Sequence, residues 1–307
     1  MRNLIIFFVF FLGGINNSSI LAQELEPRSL TNIPKKMNFV VAGYGYSWGS
    51  TLLDASIPIE DLNSQLHGII AAYARSIDFF GMSSKIDVVV PYVFGDWDGY
   101  LEGTYATASR NGFGDPRVRF SFNFLGSPSL SIQEFKDYKP NTLAGFSLQV
   151  FMPFGQYFND KLVNLSSNRW TFKPQFGVAK YMGKWIFEGY LSAWIYTANN
   201  EFLVTNKLKQ EPLYAVKIHV IRSLPKSMWV AFDIGYGIGG KTALNDMLRD
   251  DRISTIRFGT TFTIPVSKKS SIKFSYFSAI RLEKGADFDT LAISYQYRWF
   301  EKRSLQN

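Results

Sequence analysis

The chain of 307 residues contains no cysteine and only two histidines, His67 and His219. Without thiols there is no disulfide framework, no thiolate metal site and no cysteine nucleophile. Two histidines so far apart in sequence also make a poor metal-ligand set. Long hydrophobic runs are missing as well. Past the first dozen residues, the long charge-free stretches 37–53 and 140–159 are broken by Gly, Pro, Ser, Asn or Gln, so neither reads as a spanning helix. Charge of one sign is nowhere concentrated. The net charge is +8, but Lys and Arg are interleaved with Asp and Glu throughout, which argues against a nucleic-acid partner.

What the chain has is aromatic and glycine content: 17% aromatic residues and 24 glycines, with a mean hydropathy near zero. Strands apolar on one face and polar on the other produce this profile, because the two faces cancel in an average. Val118, Phe120, Phe122 and Phe124 alternate with Arg117, Arg119, Ser121 and Asn123. Ile256, Phe258, Thr260, Phe262 and Ile264 alternate in the same way with Arg257, Gly259, Thr261 and Thr263. This period of two predicts about twelve strands, at residues 39–48, 66–77, 85–94, 116–125, 142–152, 170–180, 185–197, 213–224, 228–238, 253–264, 272–281 and 289–299. Between them, short links at 80–84, 182–184, 225–227 and 265–271 alternate with long ones at 49–65, 95–115, 153–169, 199–212, 241–252 and 282–288.

Short periplasmic turns, long extracellular loops and an even strand number predict an all-β, transmembrane, antiparallel up-and-down β-barrel of the bacterial outer membrane. Its surroundings would be outer-membrane lipid and lipopolysaccharide. The link 126–141 departs from the alternation, and Ser131-Ile132-Gln133-Glu134-Phe135 within it has the form of a capping box opening a short periplasmic helical turn. Aromatics toward strand ends, among them Trp48, Tyr92, Trp170, Trp185, Tyr214, Trp229 and Trp299, match interfacial girdles. The last strand places Leu291, Ile293, Tyr295, Tyr297 and Trp299 on one face. By resemblance to other barrels, Tyr295, Tyr297 and Trp299 are expected to signal to the barrel-assembly machinery, although Phe300 and a polar tail follow them.

The beginning of the chain supports this compartment. Arg2, the apolar run 4–12 and Ile20-Leu21-Ala22 have the layout of a secretory signal peptide over residues 1–22, with no lipoprotein cysteine at the cleavage point. The expected organisation is then a periplasmic N-terminal segment at 23–38, the barrel at 39–299 and a periplasmic tail at 300–307.

If Phe120 and Phe122 face lipid, Arg117 and Arg119 face the lumen. The inward set includes Asp87, Arg117, Arg119, Gln149, Lys173, Gln175, Glu188, Lys217, His219, Asp233, Arg257, Lys273, Gln296 and Arg298. A twelve-stranded barrel is wider than wall side chains easily fill, so the lumen is either a narrow water path or is closed by loops or the N-terminal segment. Two readings of these charges stand side by side: mutual neutralisation across the lumen, and a pore for small polar or anionic solutes. On the second, Arg117, Arg119, Lys173, Gln175, Glu188, Lys217, His219, Asp233, Arg257 and Arg298 are the candidate solute-contacting residues.

An enzyme is not expected. Neither histidine is followed by a serine two residues later as in outer-membrane phospholipases, since Ile69 and Ile221 stand there. Asp96 and Asp98 form a carboxylate pair of the kind that activates water at a barrel rim, but turn residues at a strand exit are the commoner meaning. Gly235-Tyr236-Gly237-Ile238-Gly239-Gly240 matches a phosphate loop only in glycine count, and no cofactor is implied.

Several motifs follow one another along the chain: Gly112-Phe113-Gly114-Asp115-Pro116-Arg117-Val118-Arg119, Phe124-Leu125-Gly126-Ser127-Pro128, Gly145-Phe146-Ser147-Leu148-Gln149-Val150, Pro153-Phe154-Gly155-Gln156-Tyr157 and Asn168-Arg169-Trp170, with Asp287-Phe288-Asp289-Thr290 before the last strand. In this order they resemble the outer-membrane family named for the meta-pathway of phenol degradation. The resemblance spans roughly residues 39–299. It implies a channel or transporter, with the family's name linking members to uptake of aromatic compounds. Within the motifs, Arg117, Arg119, Arg169 and Lys173 would either hold a solute carboxylate or pair with Asp115. The different class that competes is a plugged structural or adhesive barrel that binds through its extracellular loops.

Overall fold

A computed structural model describes residues 25–50, 59–284 and 287–301, so the predicted signal peptide lies outside the described residues. The first half of the chain supplies β1 (Met37–Ser50), β2 (Ile59–Phe79), β3 (Met82–Leu101), β4 (Thr104–Phe113), β5 (Arg117–Leu125), β6 (Thr142–Phe151), β7 (Thr171–Met182) and β8 (Trp185–Tyr196). Then come β9 (Asn199–Phe202), β10 (Asn206–Gln210), β11 (Leu213–Ser223), β12 (Trp229–Gly239), β13 (Thr242–Leu244) and β14 (Met247–Leu248). The chain ends in β15 (Ile253–Pro265), β16 (Ser270–Arg281) and β17 (Asp287–Phe300).

These form a closed antiparallel ring of 12 wall positions, β1-β2-β3-β5-β6-β7-β8-β11-β12-β15-β16-β17, sealed by pairing of β17 with β1 from Met37↔Phe300 to Ser50↔Asp287. Closure leaves the wall without an unpaired edge at membrane depth. Each of the twelve predicted strands lies in this ring. The β2–β3 turn shows why the short links work: Phe80 and Gly81 both have positive φ, 50° and 74°, and a two-residue loop of this kind follows the twist of the strands it joins.

The outer surface is apolar at mid-strand. On β11, Tyr214, Val216 and Ile218 are 57%, 40% and 50% exposed, an arrangement stable only against lipid. Arg222, stacked 4.6 Å from the Trp185 ring, marks the periplasmic end of this band. Phe120 and Phe122 face outward as expected, edge-on to Phe79 at 5.4 and 5.3 Å.

The predicted capping box is formed: Ser131 N donates to Glu134 Oε2 at 2.7 Å, Glu134 N donates to Ser131 Oγ at 3.4 Å, and a short 3₁₀ turn, Glu134–Lys136, follows.

Three expectations change. Residues 95–115, expected as a loop, are largely strand: β4 pairs with the distal part of β3, Tyr92↔Phe113 to Leu101↔Thr104, while β5 takes the proximal part, Ser84↔Phe122 to Val89↔Arg117. One wall position is thus broken at Gly114-Asp115-Pro116, where proline has no amide to give the ladder. The links at 199–212 and 241–252 are not irregular either, since β9, β10, β13 and β14 build a second sheet in the order β14-β13-β10-β9 above the mouth. Asn-Asn-Glu-Phe and Asn-Lys-Leu-Lys-Gln have little apolar alternation, which hid them. Finally, residues 25–33, expected in the periplasm, are folded into the barrel interior.

Candidate functional site

Seen from the wall inward, the lumen has three levels. At the extracellular level, inward side chains of β2, β3, β16 and β17 form an apolar cluster of Leu62, Leu66, Val93, Trp97, Ala279 and Phe288, completed by Val163 and Leu165 from loop 153–169. That loop is therefore folded into the mouth. Asp115 pins it there, accepting from Gly155 N at 3.1 Å, Ser167 N at 3.0 Å and Ser167 Oγ at 3.1 Å. Phe202 and Leu208 of the small sheet pack with Leu162 of the same loop, so the sheet lies against it.

The middle level is charged. Because each inward position lies opposite an inward position on the next strand, Asp87, Arg119, Gln149 and Lys173 fall in one row, and Glu188, His219 and Asp233 in another. Lys173 Nζ lies 4.6 Å from the Trp194 ring, and Arg257 lies 4.8 Å from the Phe288 ring. Lys217 donates to Gln175 Oε1 at 2.8 Å and approaches the Tyr190 ring at 5.8 Å. His219 is fully buried, with Nδ1 2.6 Å from Asp233 Oδ1 and its ring 5.4 Å from Tyr190. Gln149 Nε2, Glu188 Oε1, His219 Nε2 and Asp233 Oδ2 are buried with no hydrogen-bond partner among the described residues.

The lowest level is filled by the strap of residues 25–36, whose first residues reach up to the charged level. Glu26 pairs with Arg119 through both guanidinium termini, and Arg119 Nε donates to Asp87 Oδ2 at 2.8 Å. Arg28 N donates to Glu188 Oε2 at 2.7 Å, and the Arg28 guanidinium lies 5.4 Å from the Trp229 ring. Lys85 Nζ donates to Ser29 O at 2.6 Å, and Asn123 Nδ2 to Leu30 O at 2.8 Å. Leu30 is buried among Leu143, Ala179 and Tyr190. Since Arg119 is on β5 and Leu25 packs over Gly259 of β15, six wall positions away in a ring of twelve, the strap bridges opposite walls.

Of the residues expected at the site, Arg117, Arg119, Lys173, Gln175, Glu188, Lys217, His219, Asp233 and Arg257 share this interior. Arg298 does not join them. It is exposed at the periplasmic end of β17, donating Nη2 to Lys268 O at 3.1 Å. Arg169 sits at the mouth, 4.6 Å from the Tyr196 ring, with Nη2 donating to Gln210 Oε1 at 2.6 Å. The residues weighed for hydrolysis are dispersed. His67 is on the outer face, stacked 4.8 Å from Tyr46, while Asp96 accepts from Ser109 Oγ at 2.5 Å and Asp98 lies 3.4 Å from Asn63 Nδ2. Sequence reasoning missed Leu25, Glu26, Arg28 and Leu30. Their segment has no strand pattern, and the scattered Leu25, Leu30 and Ile33 show no period.

Residues 61–296 match the model of the family described as "Putative MetA-pathway of phenol degradation". The fold is similar to a crystal structure of an outer membrane channel from Pseudomonas putida F1, at a TM-score of 0.73 and 18% identity, covering 90% of this chain and 100% of that one. It is also similar to the transport unit of the autotransporter AIDA-I from Escherichia coli, at a TM-score of 0.52 and 10% identity, covering 91% of this chain and 95% of that one. No curated protein matches the chain by sequence.

Proposed function

Because the chain belongs to this phenol-degradation MetA-pathway family, we propose that it is a passive outer-membrane channel for small organic solutes, anionic and aromatic compounds among them. The observation that carries the reading is the composition of the interior. The wall carries Lys173, Lys217, Arg257, Glu188 and Asp233 inward, a lining that offers charge to a polar or anionic solute, whereas a barrel packed only for stability would fill the same positions with apolar side chains. The obstructions, in contrast, are not wall. They are the strap and loop 153–169, segments that add no strand to the ring. The family description favours solutes related to phenols and their acidic breakdown products.

The test is swelling of liposomes that contain the full-length protein, with neutral and anionic aromatic solutes. Slow, solute-dependent swelling is expected, and deletion of residues 25–31 should accelerate it. The contacts that close both ends of the lumen are what favour the competing reading, a plugged barrel with binding in its extracellular loops. If correctly folded protein and the deletion variant are both impermeable, the channel reading fails and that alternative takes its place.

A further inference from the structure

Leu25 and Glu26 occupy the lumen in the manner of a small apolar carboxylic acid. Both Glu26 carboxylate oxygens are taken by Arg119, Oε1 by Nη2 at 3.1 Å and Oε2 by Nη1. Asp87 Oδ2 accepts from Arg119 Nε at 2.8 Å, which fixes the plane of the guanidinium toward the lumen. Arg117 and Lys273 add positive charge around the same carboxylate. A planar two-point fork of this kind recognises carboxylates by geometry as well as by charge.

The apolar half of the mimic lies beside it. Leu25, 5% exposed, fills space that the wall leaves open by having glycine at 235 and 259. A Cβ at Gly235 would lie 3.2 Å from Leu25 Cδ2, and one at Gly259 would lie 3.0 Å from Leu25 Cδ1 and 2.6 Å from the Phe277 ring. A hollow with two missing side chains and an aromatic edge, facing a guanidinium fork, accepts an apolar body carrying one carboxylate.

We propose that Arg119 and the hollow at Gly235, Gly259 and Phe277 form a binding site for small aryl or alkyl carboxylates, and that Leu25-Glu26 is its built-in competitor, displaced when such a solute binds. The inference rests on the channel reading and adds to it a solute class and a gate. A solute that binds only the strap-free state shifts the strap outward in proportion to its occupancy, whereas one that cannot engage Arg119 shifts nothing.

The absence of cysteine makes the strap individually addressable. With Ser29→Cys in the full-length protein in lipid vesicles, the rate of modification by a charged thiosulfonate reports strap release. Phenylpropanoate is expected to raise that rate roughly tenfold, and its neutral isostere phenylpropanamide to leave it unchanged. Adding Glu26→Gln, which keeps the strap's shape but weakens the competitor, should lower the phenylpropanoate concentration needed by about tenfold. Adding Arg119→Gln should abolish the difference between acid and amide. Equal responses to acid and amide, or a dose response that Glu26→Gln does not move, would overturn the proposal. The two readings fail separately: acid-specific labelling without vesicle swelling defeats the channel and leaves the site, and swelling without acid-specific labelling defeats the site and leaves the channel.

Discussion

A single side chain in this protein meets one of three media, and its position in the wall decides which. Ile218 is 50% exposed at the centre of the β11 apolar band, between Tyr214 at one end and Arg222 at the other. Arginine there is expected to cost about 2 to 4 kcal/mol, while Lys217→Ala one residue away, in the lumen, should cost far less. Folding titrations into lipid vesicles measure both. Phe122 also faces lipid, but it pairs with Ser84 close to the Phe80-Gly81 turn and so lies near the periplasmic interface. Phe122→Arg should therefore cost only about 0 to 1 kcal/mol. Depth, which sequence alternation does not encode, separates these two positions. Gly126 is a different case: at φ 71°, a Cβ would lie 2.0 Å from Thr142 O. Gly126→Ala must move backbone at the end of β5, and denaturant unfolding of the micelle-bound protein should show a loss of about 1 to 3 kcal/mol.

At the scale of elements, the strap and loop 153–169 add no strand to the ring and should be separable from the barrel. Asp115→Ala removes the acceptor for Gly155 N, Ser167 N and Ser167 Oγ together. Loop 153–169 should then become sensitive to protease on the intact cell surface while the barrel remains folded; protection equal to that of the unsubstituted protein would show that the apolar contacts of Val163 and Leu165 suffice. The periplasmic turn responds to pH. The Ser131 hydroxyl, followed by its backbone amide, holds the Glu134 carboxyl below its ordinary value of 4.5. The sign follows from linkage: the capping contribution is complete above that ordinary value and is lost as pH falls through the lowered one. Protection of the Ser131 amide, with its exchange rate corrected for the intrinsic effect of pH, should fall only on such acidification, and in Glu134→Gln, whose amide oxygen still accepts but does not titrate, it should not change over that range.

For the whole molecule, the decisive contact is the seam between β1 and β17, because a ring is closed only when its first and last strands meet. Tyr295, Tyr297 and Trp299 face outward on the closing strand, with Tyr297 and Trp299 stacked at 5.9 Å and Trp299 6.4 Å from Tyr73 of β2. A polar aromatic belt at this depth suits both the membrane interface and recognition by an assembly machine. Trp299→Asp is expected to deplete the protein from the outer membrane, whereas removal of residues 302–307 should be tolerated. Fractionation and the faster migration of folded over boiled protein on a cold detergent gel measure these outcomes. Equal membrane levels for Trp299→Asp would remove the assembly role from this strand.

The sequence by itself determined the wall. Period-two alternation, the turn residues and the even count of strands specify a closed barrel, because lipid demands an apolar outer face and satisfied backbone along each strand, and both demands are local. The inward ladder from Arg119 to Asp233 follows from the same parity. Tertiary structure alone decided what fills the lumen. Glu26 meets Arg119 across 93 positions, and Leu165 meets Leu66 and Trp97 inside the mouth, pairings set by the width of the closed ring and not by any pattern within segments 25–36 or 153–169. Strands β9, β10, β13 and β14 were hidden for a related reason. Outside the membrane a strand has no lipid to face, so its side chains need not alternate, and its pairing is visible only once the barrel has brought the two loops together.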